Sequence, residues 1–252
     1  MEGSSLLPVN VACHGVLTRS LRDTIVFHQA IAGLGEVAAA PARPLRIGVF
    51  TDAPGDTPVD PEVRAAVAAA AKQCAALGHE VSEVRCPFDG SVMDDFLAYW
   101  GFVAWIQVRS SRVTMHRDFD RTRIEPWTAG LARTFTSNRR GAFAAIRRLR
   151  RFARRYAQVM ERCDVLLSPT VGQPAPPLGH LATDHFETHF ERLRAFAAFT
   201  PMANAVGAPA ISLPLGETAS GLPIGVHFAA RRGEDALLLA LARTLYPGRG
   251  PE

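Results

Sequence analysis

The chain has 252 residues, 48% hydrophobic and 21% charged, with a formal net charge of +4. That is the profile of a globular protein with ample material for a core. No apolar run reaches the length of a membrane helix, and residues 1–5 lack the basic region and apolar stretch of a secretory leader, so the expected location is cytoplasmic.

The positive charge comes almost wholly from arginine, and Lys72 is the sole lysine. Arginine in place of lysine reflects coding bias and is poor support for a nucleic-acid partner. Cys13, Cys74, Cys86 and Cys163 are scattered with no C-x-x-C pair. They read as free thiols, buried in the core, and suggest neither a zinc cage nor a disulfide framework.

In chain order, a first helix is expected over residues 20–32. Ser20 is its N-cap, Asp23 completes a capping box, and Gly33 stands where helices commonly end. An Ala/Pro-rich link over 38–44 follows and is the best internal boundary. Leu45, Ile47 and Val49 alternate as in a strand. Asp60-Pro61-Glu62 opens a helix whose Val63, Val67, Ala70, Cys74 and Leu77 form one stripe, with Lys72 on the opposite, solvated face. Gly78 ends it, and 79–86 reads as a second strand. This βαβ unit predicts a partly parallel sheet.

Residues 89–116 read as helical and aromatic, and 118–138 as polar and irregular. A long helix is expected over 139–162, with an apolar stripe of Phe143, Ile146, Leu149, Ala153, Tyr156 and Met160. Its many arginines could meet phosphates or an anionic membrane. They read instead as a solvated outer face whose stems cover apolar surface. A short strand over 163–168, a Pro/Gly-rich loop over 169–179 and one helix over 186–206 come next. Ile211, Leu213 and Leu215 alternate, as do Leu222, Ile224, Val226 and Phe228, so a hairpin turns at 216–221. Pro214 and Pro223 each remove a ladder donor and belong at an edge or a strand end. A leucine-rich helix over 234–246 and a frayed tail over 247–252 close the chain.

Three stretches carry a family likeness. The first is His14-Gly15-Val16-Leu17-Thr18-Arg19-Ser20-Leu21-Arg22-Asp23-Thr24. The second is Cys163-Asp164-Val165-Leu166-Leu167-Ser168-Pro169-Thr170. The third runs from Phe199-Thr200-Pro201 through Asn204, Gly207, Pro209, Ser212 and Pro214 to Gly221-Leu222-Pro223-Ile224-Gly225-Val226. In order and spacing they resemble the C-terminal half of the amidase signature family.

The resemblance implies an α/β fold, a mixed sheet flanked by helices, with 1–252 as the C-terminal portion of one amidase-like domain. Within it, 1–40 is a segment with one helix and 41–252 the α/β core. It also implies hydrolysis of carboxamides without metal or cofactor. The family's chemistry uses a lysine, a serine in a cis peptide and a nucleophilic serine, in a Gly-Gly-Ser-rich stretch upstream of the segment near His14. Ser4 and Ser5 lack the flanking glycines and read as disordered terminal residues. Lys72 lies on a solvated face, where an amine stays protonated.

No catalytic residue is therefore assigned, and the chain is expected to be inactive alone. It is expected to act on a small-molecule amide if complemented, through an N-terminal amidase half or a homo-oligomer. The alternative is a non-catalytic, pocket-bearing or interaction protein derived from an amidase. Ser168, Thr170, Thr200 and Asn204 are the substrate-pocket candidates. Ala197 stands where glutamine-using amidotransferase subunits that resemble this family carry Asp, which argues against amidation of transfer-RNA-bound glutamate.

Other motifs carry less. Gly33-Leu34-Gly35-Glu36-Val37-Ala38 lacks the strand before and helix after that dinucleotide binding needs. His185 and His189 sit at i, i+4 but lack a third ligand, so no metal site is assigned. Neither nucleic acid nor membrane is expected as a partner.

Overall fold

The structure is a computed structural model and describes residues 15–182 and 185–247. Ser4, Ser5, Cys13, His14 and the tail beyond Pro247 lie outside the described residues. Cys74 and Cys163 are buried and Cys86 half-buried, all as free thiols.

Helix α1 (Leu21–Ala32) starts where the Ser20 hydroxyl accepts a hydrogen bond from Asp23 N at 3.1 Å. Strand β1 (Arg46–Val49) feeds helix α2 (Pro61–Ala76), opened by Asp60 accepting from Glu62 N at 2.8 Å. Val63, Ala66, Val67, Ala70 and Cys74 of α2 are buried, and Lys72 on its other side is exposed. Strand β2 (Glu80–Glu83) is shorter than the alternation suggests. Helices α3 (Ser91–Thr114), α4 (Pro126–Ser137) and α5 (Arg139–Arg162) follow, then strand β3 (Val165–Pro169). Helices α6 (Phe186–Phe196) and α7 (Pro201–Val206), strands β4 (Ala210–Glu217) and β5 (Pro223–Ala230), and helix α8 (Asp235–Leu245) complete the order.

The strands form one mixed sheet in the order β2-β1-β3-β5-β4. The β1–β2 and β1–β3 pairs are parallel, and β3–β5 and β4–β5 antiparallel. The two prolines sit where a missing donor is tolerated: Pro223 is the first residue of β5, and Pro214 lies on the edge strand β4 beside a register shift. Helix α2 packs against β3, β4 and β5, α8 against β4 and β5, and α1 against α8. Tyr156 of α5 donates from its buried hydroxyl to Ala230 O at 2.9 Å, tying that helix to the end of β5.

Three expectations are corrected. Part of the stretch read as irregular is helix α4, started by Pro126 and held by aromatic contacts that a polar-looking sequence hides: Phe135 lies 5.3 Å from Phe102 and 4.9 Å from Trp105 between ring centres. The helix read as continuous over 186–206 is two, α6 and α7. Pro201 cannot donate to a preceding turn and so starts a new helix. The buried stripe of α5 is Ala142, Ala145, Ile146, Leu149, Phe152, Tyr156 and Met160, while Phe143 is 57% exposed. Ala142 and Ala145 take the buried positions, and the Phe143 ring sits at the rim, 6.2 Å from Phe102 and 6.4 Å from Phe135 between ring centres.

Candidate functional site

The antiparallel register places Ser168 of β3 opposite His227 of β5, and His227 opposite Ser212 of β4. Directly opposed residues share a face of the sheet, so these three side chains form one polar row across three strands. Val226 and Phe228, which flank His227, point to the opposite face and are fully buried.

One step further along β5, Thr170 N donates to Gly225 O at 3.3 Å, and the Thr170 and Ser212 hydroxyls are bonded at 2.7 Å. Gly225 makes this pair possible. A Cβ there would lie 2.7 Å from Ser212 Oγ and 2.9 Å from Thr170 Oγ1, so any side chain would push the hydroxyls apart. Each hydroxyl can both donate and accept, so the pair keeps capacity for a further polar group. Ser168 is buried, Thr170 half-buried and Ser212 exposed, so the row opens from the core towards the surface.

The loop after β3 is pinned on both sides: Gly172 N donates to Phe196 O at 2.9 Å, and Gly172 O accepts from Asp60 N at 2.9 Å. Phe199 packs 6.2 Å from Phe50, just beyond β1. Because β1 and β3 are parallel, α7 starts at the same end of the sheet at which β3 delivers Ser168 and Thr170. Thr200 and Asn204, both half-buried, lie on that helix start. Of the four pocket candidates, the structure joins Ser168 and Thr170 in one polar patch and sets Thr200 and Asn204 on a neighbouring element.

Ser212 and Gly225 were read from sequence as family-motif residues but not assigned to the pocket, and His227 was not singled out. The available signal was alternation, since residues 225 and 227 fall out of phase with Ile224, Val226 and Phe228.

Burial pushes the His227 imidazole down to about 4 from an ordinary 6.5. It is therefore neutral at physiological pH and offers one donor and one acceptor. In the unfolded chain the same group takes up a proton near pH 6.5. Between those values the unfolded state binds more protons, so stability is complete above about pH 6.5 and declines as pH falls towards 4. His79 is shifted in the same direction by burial. Thermal melts across this window should show the decline, and His227→Gln should remove the larger part of it. An unchanged slope in the variant would assign the decline to other groups.

Beneath the other end of β3, Asp164 is buried and accepts from Arg43 through both oxygens at 3.0 Å, and from Arg46 N at 2.9 Å and Nη2 at 3.1 Å. Arg231 Nη2 approaches to 3.7 Å. These arginines hold the Asp164 carboxyl far below the usual carboxylate range, the Arg43 hydrogen bonds contributing most. This is a structural clasp joining the link before β1, β1 itself, β3 and the residue after β5.

Among the described residues, no three or more His, Cys, Asp or Glu side chains gather as metal ligands. His189 instead lies 4.5 Å from Trp127, ring to ring. No helix of the described residues is long and apolar enough to cross a membrane.

The family model for Amidase matches residues 2–239. The chain belongs to the amidase signature family. It is 41% identical over 253 residues to AmiC of Mycobacterium tuberculosis (strain ATCC 25618 / H37Rv), a protein named as an amidase, covering 96% of this chain and 53% of that protein. It is 32% identical over 262 residues to the 6-aminohexanoate-cyclic-dimer hydrolase of a Pseudomonas species (strain NK87), covering 93% of this chain and 53% of the hydrolase. A solved structure of 6-aminohexanoate cyclic dimer hydrolase complexed with substrate superposes with a TM-score of 0.77 at 26% identity, over 93% of this chain and 54% of that one. The amidase relatives share the mixed α/β architecture. The chain spans about half the length of the curated relatives it matches.

Proposed function

We propose that this chain is the C-terminal portion of a cytoplasmic amide hydrolase, and that it walls the substrate pocket while another polypeptide segment supplies the reacting groups. The observation that carries this reading is the 41% identity running along 96% of the chain while matching only 53% of the relative. Lys72 supports it from the chemical side. The only lysine is exposed on α2, whereas activation of a serine nucleophile calls for a base held against its hydroxyl.

In the complete site, a buried neutral lysine takes a proton through a first serine. A second serine attacks the carboxamide carbon, and backbone N–H groups of a glycine-rich loop receive the negative charge on oxygen. No metal or cofactor enters that scheme. The role read for this chain is to hold the substrate's polar end against Thr170 and Ser212, with Ser168, Thr200 and Asn204 completing the wall. Small linear or cyclic amides are the substrate class, in line with the cyclic amide named for the Pseudomonas relative.

The test is an amidase assay of the pure 252-residue chain on simple aliphatic and anilide amides and on the 6-aminohexanoate cyclic dimer. The expected result is no turnover above buffer alone, and turnover when the N-terminal half of a relative is co-expressed with it. Hydrolysis by the isolated chain, with a serine of this chain labelled by a fluorophosphonate, would overturn the proposal. Failure of complementation together with retained amide binding would favour a non-catalytic pocket protein.

A further inference from the structure

We propose that the outer face of α5 docks this protein reversibly on an anionic membrane surface, lying on the bilayer without entering it. Read from sequence, the arginines of this helix are a solvated face and Phe143 belongs to the core stripe. The structure changes that balance in two ways.

The first concerns pairing. Arg148 is held by buried Asp95, with Nε to Oδ2 at 2.8 Å, Arg155 reaches Asp89 at 2.9 Å, and Arg139 lies over the Trp105 ring at 6.0 Å. Arg140, Arg147, Arg150, Arg151 and Arg154 are all exposed, and among the described residues none of the five has a hydrogen-bonding or ion-pairing partner. At 3.6 residues per turn they fall within an arc of about 100°, and at 1.5 Å per residue they extend over about 21 Å. One cationic strip of that length, with Glu161 the only acid on the helix, repels itself and attracts a surface of opposite charge.

The second is Phe143. It lies in the same arc, between Arg140 and Arg147, and is 57% exposed. Helices α3 and α5 run antiparallel, as the Asp95–Arg148 and Phe102–Phe143 contacts show. Helix α3 therefore passes the start of α5 near Ile106, 39% exposed, and runs on beyond it to Val113 at 91% and, just past its last residue, Met115 at 63% exposure. Anionic headgroups over an apolar layer satisfy both arginines and exposed apolar side chains. A nucleic-acid duplex would satisfy only the arginines. The buried stripe of α5 is already committed to the core, so insertion is shallow and binding is mainly electrostatic.

The test is co-sedimentation of the full chain with phosphatidylcholine vesicles that do or do not contain phosphatidylglycerol. Each cation near an anionic leaflet strengthens binding about fivefold. Neutralising four of them in R147Q/R150Q/R151Q/R154Q is therefore expected to weaken binding by about two to three orders of magnitude, with unchanged circular dichroism. Phe143→Ser is expected to weaken it several-fold, and molar salt to release the unmodified chain. The proposal is overturned by equal binding to both vesicle types, by salt-insensitive binding, or by a quadruple variant that binds like the parent. It is also overturned if a short DNA duplex competes the chain off the vesicles at equal charge concentration. Loss of vesicle binding when a complementing amidase half is added would show that the face belongs to the contact between halves, and would likewise overturn it.

Discussion

Replacing Asp164 by alanine is expected to lower the folding stability of the chain by about 3 kcal/mol. The carboxylate is buried and receives hydrogen bonds from Arg43, from Arg46 through side chain and backbone, and lies close to Arg231. Its loss leaves the half-buried Arg46 N–H without its acceptor and removes a clasp between segments separated by 118 to 121 residues. The side chains of Arg43, Arg46 and Arg231 are 60%, 42% and 44% exposed, and Arg43 and Arg231 border a cavity of about 220 Å³. They can rehydrate, which keeps the cost at the low end for a broken buried pair. The carboxyl is held below its ordinary value, so its contribution is fully present above about pH 4 and is lost as the solution is acidified below that point. Urea melts of Asp164→Ala should show a lower midpoint with an unchanged slope. Asp164→Asn should lose most of the dependence on pH below 4. Stability equal to the parent would show that the clasp contributes nothing net.

The second large effect is expected from Gly101→Val in α3. On propensity alone, replacing a mid-helix glycine is favourable, by up to about 1 kcal/mol for alanine. Packing opposes this more strongly. A Cβ at Gly101 would lie 2.3 Å from Thr134 Oγ1, 2.7 Å from Leu131 O and 3.3 Å from Phe135 N. Two of those atoms are backbone of α4 and cannot rotate aside. The two helices must separate, which opens the contacts of Phe102 and Trp105 with Phe135. Overpacking of this kind costs about 3 kcal/mol or somewhat less, so the net change is destabilising. Gly101→Ala should lie between parent and Gly101→Val in thermal melts. A variant that melts above the parent would mean that α4 moves freely on α3.

How far the sequence reached can be judged from individual elements. Helix α2 was legible because Asp60-Pro61 and a regular apolar stripe agree, and the β4–β5 hairpin because alternation and turn residues agree. The mixed sheet was legible through the family motifs, whose Asp164 and Gly225 both sit at positions with a structural task. Helix α4 was not legible, because its core residues Leu131 and Phe135 are too few to show a period. Phe143 was misplaced because an aromatic residue at helical spacing does not reveal which of two adjacent stripes is buried. At the site, Ser168 and Thr170 were found from the strand's end, but their partners Ser212 and His227 come from residues more than 40 positions later. Register, which local patterns do not encode, is what brought them together.

The central position of β3 has a consequence for how the molecule is made. Its neighbours on either side are β1, far earlier in the chain, and β5, whose last paired residue is Ala230. The β1–α2–β2 unit and the β4–β5 hairpin can each form from nearby residues. The strand that joins them closes long loops on both sides, and such closure is slow. A nascent polypeptide can therefore pair β3 only with β1 at first, and the other edge of β3 stays open until β5, the last strand, has left the ribosome.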